Sequence, residues 1–414
     1  MEYQRSSYEI RPIDLAKTIL ISYGKRLFEP NLMDFVMSRH KLRKISPLLL
    51  IFILGLCFNP LLHGEGECKS EEEPYIAPFL KPLSLGECGS ITFKPGLRIQ
   101  TRYLYDSETN NNDFFIRRFR IKGSGDVFGL GTYGAELKID NTGRFGKDPK
   151  AVVENAWVDF TICKELTYLR VGLYDIPFSR NALTSDSKLL FMDRTLVKGA
   201  LTDLGMADNT IGLLLHGRPY CGRLEYAFGI FDNQQFEKIG HSGKKHSDQL
   251  MPAGRVVFNL YDLATPPNGY ADYKETYICQ GRRLAIGANT AYLGRAHDDD
   301  DKFDIYAWGV DLFFNEGRFT VQAEYDWFNE DTKGYGWYVQ GGYLVGCICN
   351  YGLELAARYQ ELDKSHDHFR WTSLGMNLYI REHNLKIQTD YTFKNDDEVH
   401  GNHDVFQVQL QLDF

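Results

Sequence analysis

The chain has 414 residues, of which 43% are hydrophobic, 25% charged and 14% aromatic. A mean hydropathy of −0.35 excludes a bundle of membrane-spanning helices, and the aromatic content excludes a disordered chain. The 47 basic and 55 acidic residues give a net charge of −8, which provides no basic field for binding nucleic acid. Abundant Tyr, Phe and Gly favour a β protein with many tight turns.

One apolar run marks the N-terminal region. It covers Leu48 to Phe58, follows four basic residues, and is too short to cross a bilayer, which needs about 20 residues. A basic stretch followed by a short apolar run is the pattern of a secretory signal peptide. A cytoplasmic extension is the alternative for the stretch before it. We therefore predict a mis-annotated upstream extension at residues 1–36, a signal peptide at 37–64, a periplasmic leader at 65–90 and the main folded domain at 91–414.

From Ile91 onward, apolar and polar residues alternate, which is the period of strands with one apolar face. The C-terminal segment is the clearest case, with an apolar face made of Phe406, Val408, Leu410, Leu412 and Phe414. In a soluble sandwich such a face points inward, whereas in a membrane barrel it points to lipid. The export signal, the sustained repetition and the aromatic residues at strand ends favour the barrel.

The alternation divides into about sixteen segments. They start near residues 91, 112, 129, 150, 165, 208, 222, 251, 281, 303, 317, 334, 350, 369, 384 and 402. The fold class predicted is all-β: a transmembrane, antiparallel, up-and-down β-barrel with the even strand number of bacterial barrels. With both chain ends in the periplasm, we expect long outer loops and short inner turns. No helical period of useful length is visible after Ile91.

Seven cysteines remain after the predicted signal peptide: Cys68, Cys88, Cys163, Cys221, Cys279, Cys347 and Cys349. In an oxidising compartment these are candidates for disulfides, and their odd number predicts a free thiol or an intermolecular link. Unpaired small residues at turns are the alternative. The last pair lacks the two-residue spacer of a zinc site, and the Asp298–Asp301 run lacks the glycine of a calcium loop. We therefore predict no metal and no other cofactor.

Several segments resemble the phosphate-selective porin O and P family of outer-membrane channels. They are FIRRFRIKGSG at 115–125, ENAWVDF at 154–160, LTYLRVGLYDIPFS at 166–179, FMDRTLV at 191–197, AFGIFDN at 227–233 and the terminal Phe414. The resemblance runs from about Ile91 to the end and is most specific between Glu154 and Val197. It implies a trimeric barrel of 16 strands in the bacterial outer membrane, embedded in lipid and passing small anions such as phosphate. It also implies that the loop after the fifth strand, Asp175 to Asp208, folds into the lumen as a constriction.

Family members that select phosphate line the lumen with arginines and lysines. Strand parity and position in the predicted loop give the candidate solute-binding residues of this chain: Arg98, Arg102, Arg118, Arg120, Lys122, Arg170, Arg180, Lys188 and Arg194. The same parity points eight carboxylates inward. Salt bridges that hold the barrel wall together are therefore the alternative role for these cations.

The function predicted from these features is a passive pore for small hydrophilic solutes, with anion or phosphate selectivity as a narrower hypothesis. The alternative is a structural envelope barrel, plugged by its inner loop and cross-linked through periplasmic cysteines. The sequence contains no Gly-x-Ser-x-Gly, His-Glu-x-x-His, phosphate-loop or dinucleotide motif. We accordingly predict that the protein is not an enzyme.

Overall fold

The computed structural model describes residues 83–85, 90–164, 166–232, 246–247, 249–264, 271–298, 301–329, 333–348, 351–364, 367–396 and 401–414. The predicted upstream extension and signal peptide lie outside these residues, as does nearly all of the predicted leader. Cys68, Cys88 and Cys349 also lie outside them. The described part of the chain contains sixteen long strands and two short ones.

The long strands are numbered β1 to β16 in chain order. They are β1 (Ile91–Asp106), β2 (Asn111–Val127), β3 (Gly131–Thr142), β4 (Ala151–Cys163), β5 (Thr167–Asp175), β6 (Asn209–Gly217), β7 (Leu224–Phe231), β8 (Met251–Asn259), β9 (Arg282–Asp298), β10 (Asp301–Glu316), β11 (Phe319–Asn329), β12 (Lys333–Ile348), β13 (Tyr351–Lys364), β14 (Asp367–Arg381), β15 (Leu385–Asp396) and β16 (Gly401–Asp413).

These strands form a closed, antiparallel, up-and-down barrel. Each long strand pairs with its neighbours in the chain, and β16 closes the barrel on β1 with Asp413 opposite Arg98. The short strands Leu83–Leu85 and His246–Ser247 add to β1 and β9. Every predicted strand start lies within two residues of the observed one. The predicted fold class and strand number are confirmed.

The alternating apolar and polar residues that predicted the strands lie on opposite faces of the barrel wall. Gln409 on β16 is 1% exposed and points inward, whereas Leu374 on β14 is 54% exposed and points outward. Other outward residues include Leu213, Phe228 and Leu410. The barrel therefore carries its apolar residues outside and many of its polar residues inside, the reverse of a soluble protein.

Aromatic side chains cluster on the outer face near one end of the barrel. We call this the outer end, and the end where β1 begins and β16 finishes the inner end. Trp308 on β10 stacks with Trp327 on β11 at a centroid distance of 6.5 Å, and Tyr325 stacks with Tyr335 on β12 at 6.2 Å. Such a cluster matches the aromatic girdle of membrane barrels.

The connection between β5 and β6 contains helices, contrary to the sequence expectation. Its elements are α1 (Arg180–Leu183), a 3-10 turn (Asp186–Lys188) and α2 (Leu196–Asp203). Thr195 caps α2 by accepting a hydrogen bond from the Lys198 backbone N–H. Helices this short give too few turns for a helical period to be read. None of the helices in the described residues is long and apolar enough to cross a membrane.

The lengths of the connections fit the expected pattern of long outer loops and short inner turns only in part: the outer connection at residues 176–208 is the longest, but the connections on either side of β9 depart from the pattern. The inner connection between β8 and β9 covers residues 260–281, whereas the outer connection between β9 and β10 has only two residues. The strands are the reason: β9 continues to Asp298 and β10 begins at Asp301, so the acidic stretch predicted as a loop is largely strand.

Candidate functional site

The chain between β5 and β6, residues 176–208, lies inside the barrel, and we call it the lumen segment. Its Leu196 backbone N–H donates to Gln360 Oε1 on β13 at 2.9 Å. The side chain of Asn377 on β14 donates to the Leu190 carbonyl at 2.9 Å, and that of Gln411 on β16 donates to the Ser187 carbonyl at 3.0 Å. These partners project from the inward faces of the wall, so the segment crosses the lumen. That it constricts an open pore stays a prediction.

One side of the lumen is filled by apolar packing. Val197 and Leu201 of α2 are buried in a core that includes inward-facing wall residues, among them Leu293, Ile305, Phe328 and Leu362. A Cβ on Gly336 of β12 would lie 2.8 Å from the Cβ of Val197, so a glycine is needed there for α2 to approach the wall. Simple alternation predicts a uniformly polar lumen, but this side of the lumen is apolar.

A second stretch, residues 271–280 of the β8–β9 connection, also packs into the barrel, and we call it the strap. Its Glu275 is buried and accepts hydrogen bonds from the Asn181 side chain at 2.8 Å and the Leu190 backbone N–H at 2.7 Å. The Thr276 carbonyl lies 2.9 Å from Nε2 of His383 in the β14–β15 turn. Strap and lumen segment thus bind each other through buried polar groups.

On the other side of the lumen, a cavity of about 500 Å³ remains between the lumen segment and the wall formed by β2 to β4. Its charged lining comprises six cations and seven carboxylates, and we call it the charged cavity. The cations are Arg117, Arg118, Arg120, Lys138, Arg194 and Lys198; the carboxylates are Asp140, Glu154, Asp175, Asp186, Asp193, Asp203 and Asp208. Trp371 of β14 adds an aromatic surface.

Two aspartates of the lumen segment reach the arginines of the wall. Asp193 accepts from Arg102 at 2.7 Å, and Asp186 lies 3.0 Å from Nε of Arg118. Asp186 also lies 3.0 Å from Arg194 and 3.5 Å from Arg120. The two carboxylates therefore tie the segment to β1 and β2 and offset part of the arginine charge.

Arg120 is the most highly connected of these cations. Besides Asp186, it contacts Glu136 and Asp140 of β3 at 3.1 Å each and Glu154 of β4 at 3.2 Å. Its side chain is 4% exposed. A guanidinium with this many carboxylates acts mainly as a cross-link of the wall, which supports the salt-bridge role that the sequence left open.

Electrostatics keep both segment carboxyls ionised. Burial would raise the pKa of Asp186, but Arg118, Arg194 and Arg120 outweigh it and hold the pKa well below its usual range. For Asp193, Arg102 likewise outweighs burial, and the pKa falls below its usual range. The ion pairs between segment and wall are therefore present at neutral pH.

Of the nine predicted solute-binding residues, the structure brings Arg118, Arg120 and Arg194 to the charged cavity. The others are held elsewhere. Arg98 and Lys122 pair with Asp413 at 3.1 and 2.6 Å, Arg102 pairs with Asp193, Arg170 pairs with Asp159 at 2.7 Å, and Lys188 pairs with Asp272.

Arg180 was predicted to line the solute path, but its side chain lies elsewhere. It is fully buried, and its guanidinium carbon lies 4.2 Å from the ring centre of Tyr273 and 4.3 Å from that of Phe313. This stacking fixes α1 between the strap and β10. Packing of α1 against the strap is the reason that Arg180 does not face the charged cavity. The alternation of residues along the strands could not show that the strap lies there.

Sequence reasoning missed Arg117 and the carboxylates of the lumen segment. Alternation points Arg117 to lipid, but a register shift between β1 and β2 leaves it bulged, and its side chain reaches the cavity 3.8 Å from Asp140. The sequence did contain a signal for this bulge, namely the two consecutive basic residues 117 and 118. In a regular strand one of them would have to point to lipid. Asp186 and Asp193 could have been found by counting acids as well as bases in the predicted loop.

The described cysteines lie at the inner end. Cys163 and Cys221 are exposed free thiols, whereas Cys279 in the strap is disulfide-bonded. Cys347 lies near the end of β12. At the outer end, Asp106, Glu108 and His403 place three potential ligand atoms within 4.8 Å of one another, a grouping not anticipated when no metal site was expected.

Comparison with known proteins agrees with this architecture. A protein of Aquifex aeolicus (strain VF5) described as uncharacterized is 28% identical over 351 residues, covering 74% of this chain and 81% of that protein. The anion-selective porin from Comamonas acidovorans superimposes with a TM-score of 0.55 at 12% identity, over 78% of this chain and 100% of that one. In vitro folded OmpT, an outer membrane protein of Vibrio cholerae in its trimer form, gives 0.51 at 10% identity, over 78% and 100%.

These structural likenesses establish the fold. The sequence pattern that defines a family, described as phosphate-selective porin O and P, matches residues 93–414 and so spans all but the first residues of the barrel. Because the match covers most of the chain, the protein belongs to the phosphate-selective porin O and P family and is a porin.

Proposed function

We propose that this porin lies in the bacterial outer membrane and lets small hydrophilic solutes diffuse passively through the charged cavity. The observation that carries the proposal is a charged cavity of about 500 Å³ inside a closed barrel whose outer face is apolar. Such a barrel is stable in lipid, and such a cavity admits water and polar solutes. The protein acts as a channel and catalyses no reaction.

We further propose that anions, phosphate among them, cross with only a weak preference over cations. The arginines of β2 favour anions, but Asp186, Asp140 and Glu154 lie within ion-pair distance of them and reduce the attraction. The family name and the anion-selective porin of similar fold support passage of anions. The trimer form of the similar Vibrio cholerae outer membrane protein supports assembly as a homotrimer.

Osmotic swelling of proteoliposomes tests the passive pore. Vesicles containing the purified protein should swell rapidly in arabinose, a small neutral sugar, and more slowly in raffinose, a neutral sugar about three times as large. Equal rates with and without protein would contradict a pore. Chemical cross-linking in detergent, followed by denaturing electrophoresis, should yield a trimer band.

A structural envelope barrel is the second candidate. It is favoured by the strap and the lumen segment, which together fill one side of the lumen, and by the disulfide at Cys279. On this alternative, vesicles would show no solute entry under oxidising or reducing conditions. A change in gel mobility on reduction, without any change in solute entry, would also support it.

The membrane location makes a prediction about the outward face. Leu374 lies at the middle of β14 and points to lipid, so Leu374→Arg should destabilise the barrel by about 2–4 kcal/mol in lipid vesicles. Leu374→Ala, which removes the same side chain without adding charge, is the control and should cost less. Urea titration followed by Trp fluorescence measures both. Equal effects of Arg and Ala would argue against a lipid-facing position.

The pKa directions of Asp186 and Asp193 predict how the channel responds to acid. A carboxyl with a lowered folded-state pKa contributes stability above its unfolded pKa of about 3.9, and that stability is lost as the pH falls through the folded value. The difference in reversal potential between the native protein and Asp186→Asn/Asp193→Asn in a KCl gradient should therefore stay constant from about pH 8 to pH 5, because both carboxylates remain ionised over that range. A change of that difference inside the range would show that these two ion pairs do not set the selectivity.

A further inference from the structure

Three potential metal ligands meet at the outer end of the barrel, where its first and last strands join. Asp106 is the last residue of β1, Glu108 follows it in the β1–β2 turn, and His403 lies near the start of β16. One ligand atom from each residue lies within 4.8 Å of the other two. By strand alternation, Asp106 and His403 belong to the same inward face as the buried Arg102 and Gln407. The group therefore lies at the mouth of the lumen, away from lipid.

The spacing within the group fits two ligands of one ion better than a hydrogen bond. Nε2 of His403 lies 3.7 Å from Oε2 of Glu108, which exceeds the length of a hydrogen bond. Two ligands of one zinc ion, each about 2.1 Å from it, can be up to about 4.2 Å apart. The His403 side chain is 6% exposed and that of Glu108 is 33% exposed. A buried imidazole is thus joined by a carboxylate that external ions can reach.

The backbone around the group is already held in place. The Ser107 N–H donates to the Asp404 carbonyl at 2.9 Å, and the Asp404 N–H donates to Oγ of Ser107 at 2.7 Å. Oδ1 of Asp106 accepts from the Glu108 backbone N–H at 2.9 Å. Because the two strand ends are bonded to each other, an ion can be bound by side-chain movement alone, which lowers the entropic cost of binding.

The seam between β16 and β1 shows what such an ion does for the barrel. Regular pairing of the two strands runs from Asp413 opposite Arg98 to Val405 opposite Asp106. At the inner end, Asp413 also ties the seam to β2, since it contacts Arg98 at 3.1 Å and Lys122 at 2.6 Å. At the outer end, the pairing stops at Asp106, the first residue of the ligand group. A metal ion held there links the two strands beyond their last pair.

We propose that Asp106, Glu108 and His403 bind a divalent transition-metal ion such as zinc, which clasps the first and last strands of the barrel at its outer end. Imidazole suits zinc and similar metals, whereas calcium and magnesium prefer oxygen ligands throughout. Zinc accepts a histidine nitrogen and carboxylate oxygens in four-coordinate sites, and water completes the set of ligands. The inference is independent of the proposed pore, because it concerns how the barrel is closed and not what crosses it.

Calorimetric titration of the purified, untagged full-length protein with ZnCl2 tests the site. The affinity for zinc should fall at least about tenfold in His403→Gln and in Glu108→Gln. The second variant changes an exposed side chain, so it separates loss of a ligand from misfolding. The matched control is His368→Gln. His368 of β14 also lies at the outer end and pairs with Asp363 at 3.1 Å, and its loss should leave zinc binding at the native level.

The clasp is tested by the heat-induced mobility shift of the barrel on gels. Zinc should raise the temperature of this shift in the native protein, and EDTA should reverse the rise, because a ligand of the folded state stabilises that state. Neither His403→Gln nor Glu108→Gln should show the rise. Equal zinc affinity in these variants and the native protein, or an equal loss in His368→Gln, would overturn the site. Zinc binding without a rise would overturn the clasp, and tighter binding of calcium than of zinc would overturn the choice of metal.

Discussion

Replacing both Asp186 and Asp193 with Asn will raise the permeability of chloride over potassium at least about threefold. In the native protein these carboxylates pair with Arg118 and Arg102 at 3.0 and 2.7 Å and offset their charge. The amides keep the size of the side chains but cannot balance a guanidinium, so the positive charges of the two arginines are no longer offset and attract permeating anions. The reversal potential in a KCl gradient across a planar bilayer measures the change.

Asp148→Asn is the control for this prediction. Asp148 lies in the exposed β3–β4 connection and does not line the charged cavity, so its loss changes net charge without freeing an arginine. Its reversal potential should equal that of the native protein. An unchanged potential in the double variant, with single-channel conductance preserved, would show that these arginines do not face the ion path.

The converse change, Arg118→Gln/Arg120→Gln, will make the pore cation-selective and weaken the barrel. Loss of Arg120 leaves Glu136, Asp140 and Glu154 without their common partner. Loss of both arginines leaves Asp186 with Arg194 alone. The unbalanced carboxylates attract potassium. Removing one partner of a buried ion pair costs about 3–5 kcal/mol, so the folded form should also melt at a lower temperature.

Reversal potential and the heat-induced mobility shift of the barrel on gels measure the two effects. Arg318→Gln is the matched control, since Arg318 lies in the exposed turn between β10 and β11 at the inner end. It should leave both quantities at native values. Retained anion preference in a folded double variant would exclude these arginines from selectivity.

Most of the barrel could be predicted from the sequence because the order of apolar and polar residues in each strand depends on the surroundings of its two faces. In a membrane barrel the outward position meets lipid and the inward one meets polar groups, so a period of two is imposed along the whole wall. The C-terminal strand shows this from Phe406 to Asp413, where every second residue is polar and points inward. Strand positions follow from this local signal without knowledge of the partners.

The contents of the lumen could not be predicted in the same way. The burial of Arg180 between Tyr273 and Phe313 joins three elements far apart in the chain, and no local period encodes such a contact. The strap has no regular secondary structure, so no periodic pattern in the sequence predicts the path of its backbone. Arg117 shows a third limit of prediction from sequence. A bulge at this residue changes which face of the strand its side chain points to, and the alternation of residues does not reveal where a bulge lies.

These contents have a functional consequence. Apolar packing by α2 and hydrogen bonds from the strap occupy one side of the barrel, which confines any solute path to the side of β2 to β4. The same lumen segment that fills one side supplies the carboxylates that face the arginines on the other. Its anchoring residues, Asp186 and Asp193, therefore couple the stability of the segment to the charge of the path.

Single-channel recording of the purified full-length protein in a planar bilayer tests the central claim, a water-filled path beside the lumen segment. The structure predicts stepwise conductance in KCl with a reversal potential near zero. It also predicts that the potential moves toward anions in Asp186→Asn/Asp193→Asn and toward cations in Arg118→Gln/Arg120→Gln. The absence of conductance steps from correctly folded protein, before and after reduction of the disulfide, would contradict it.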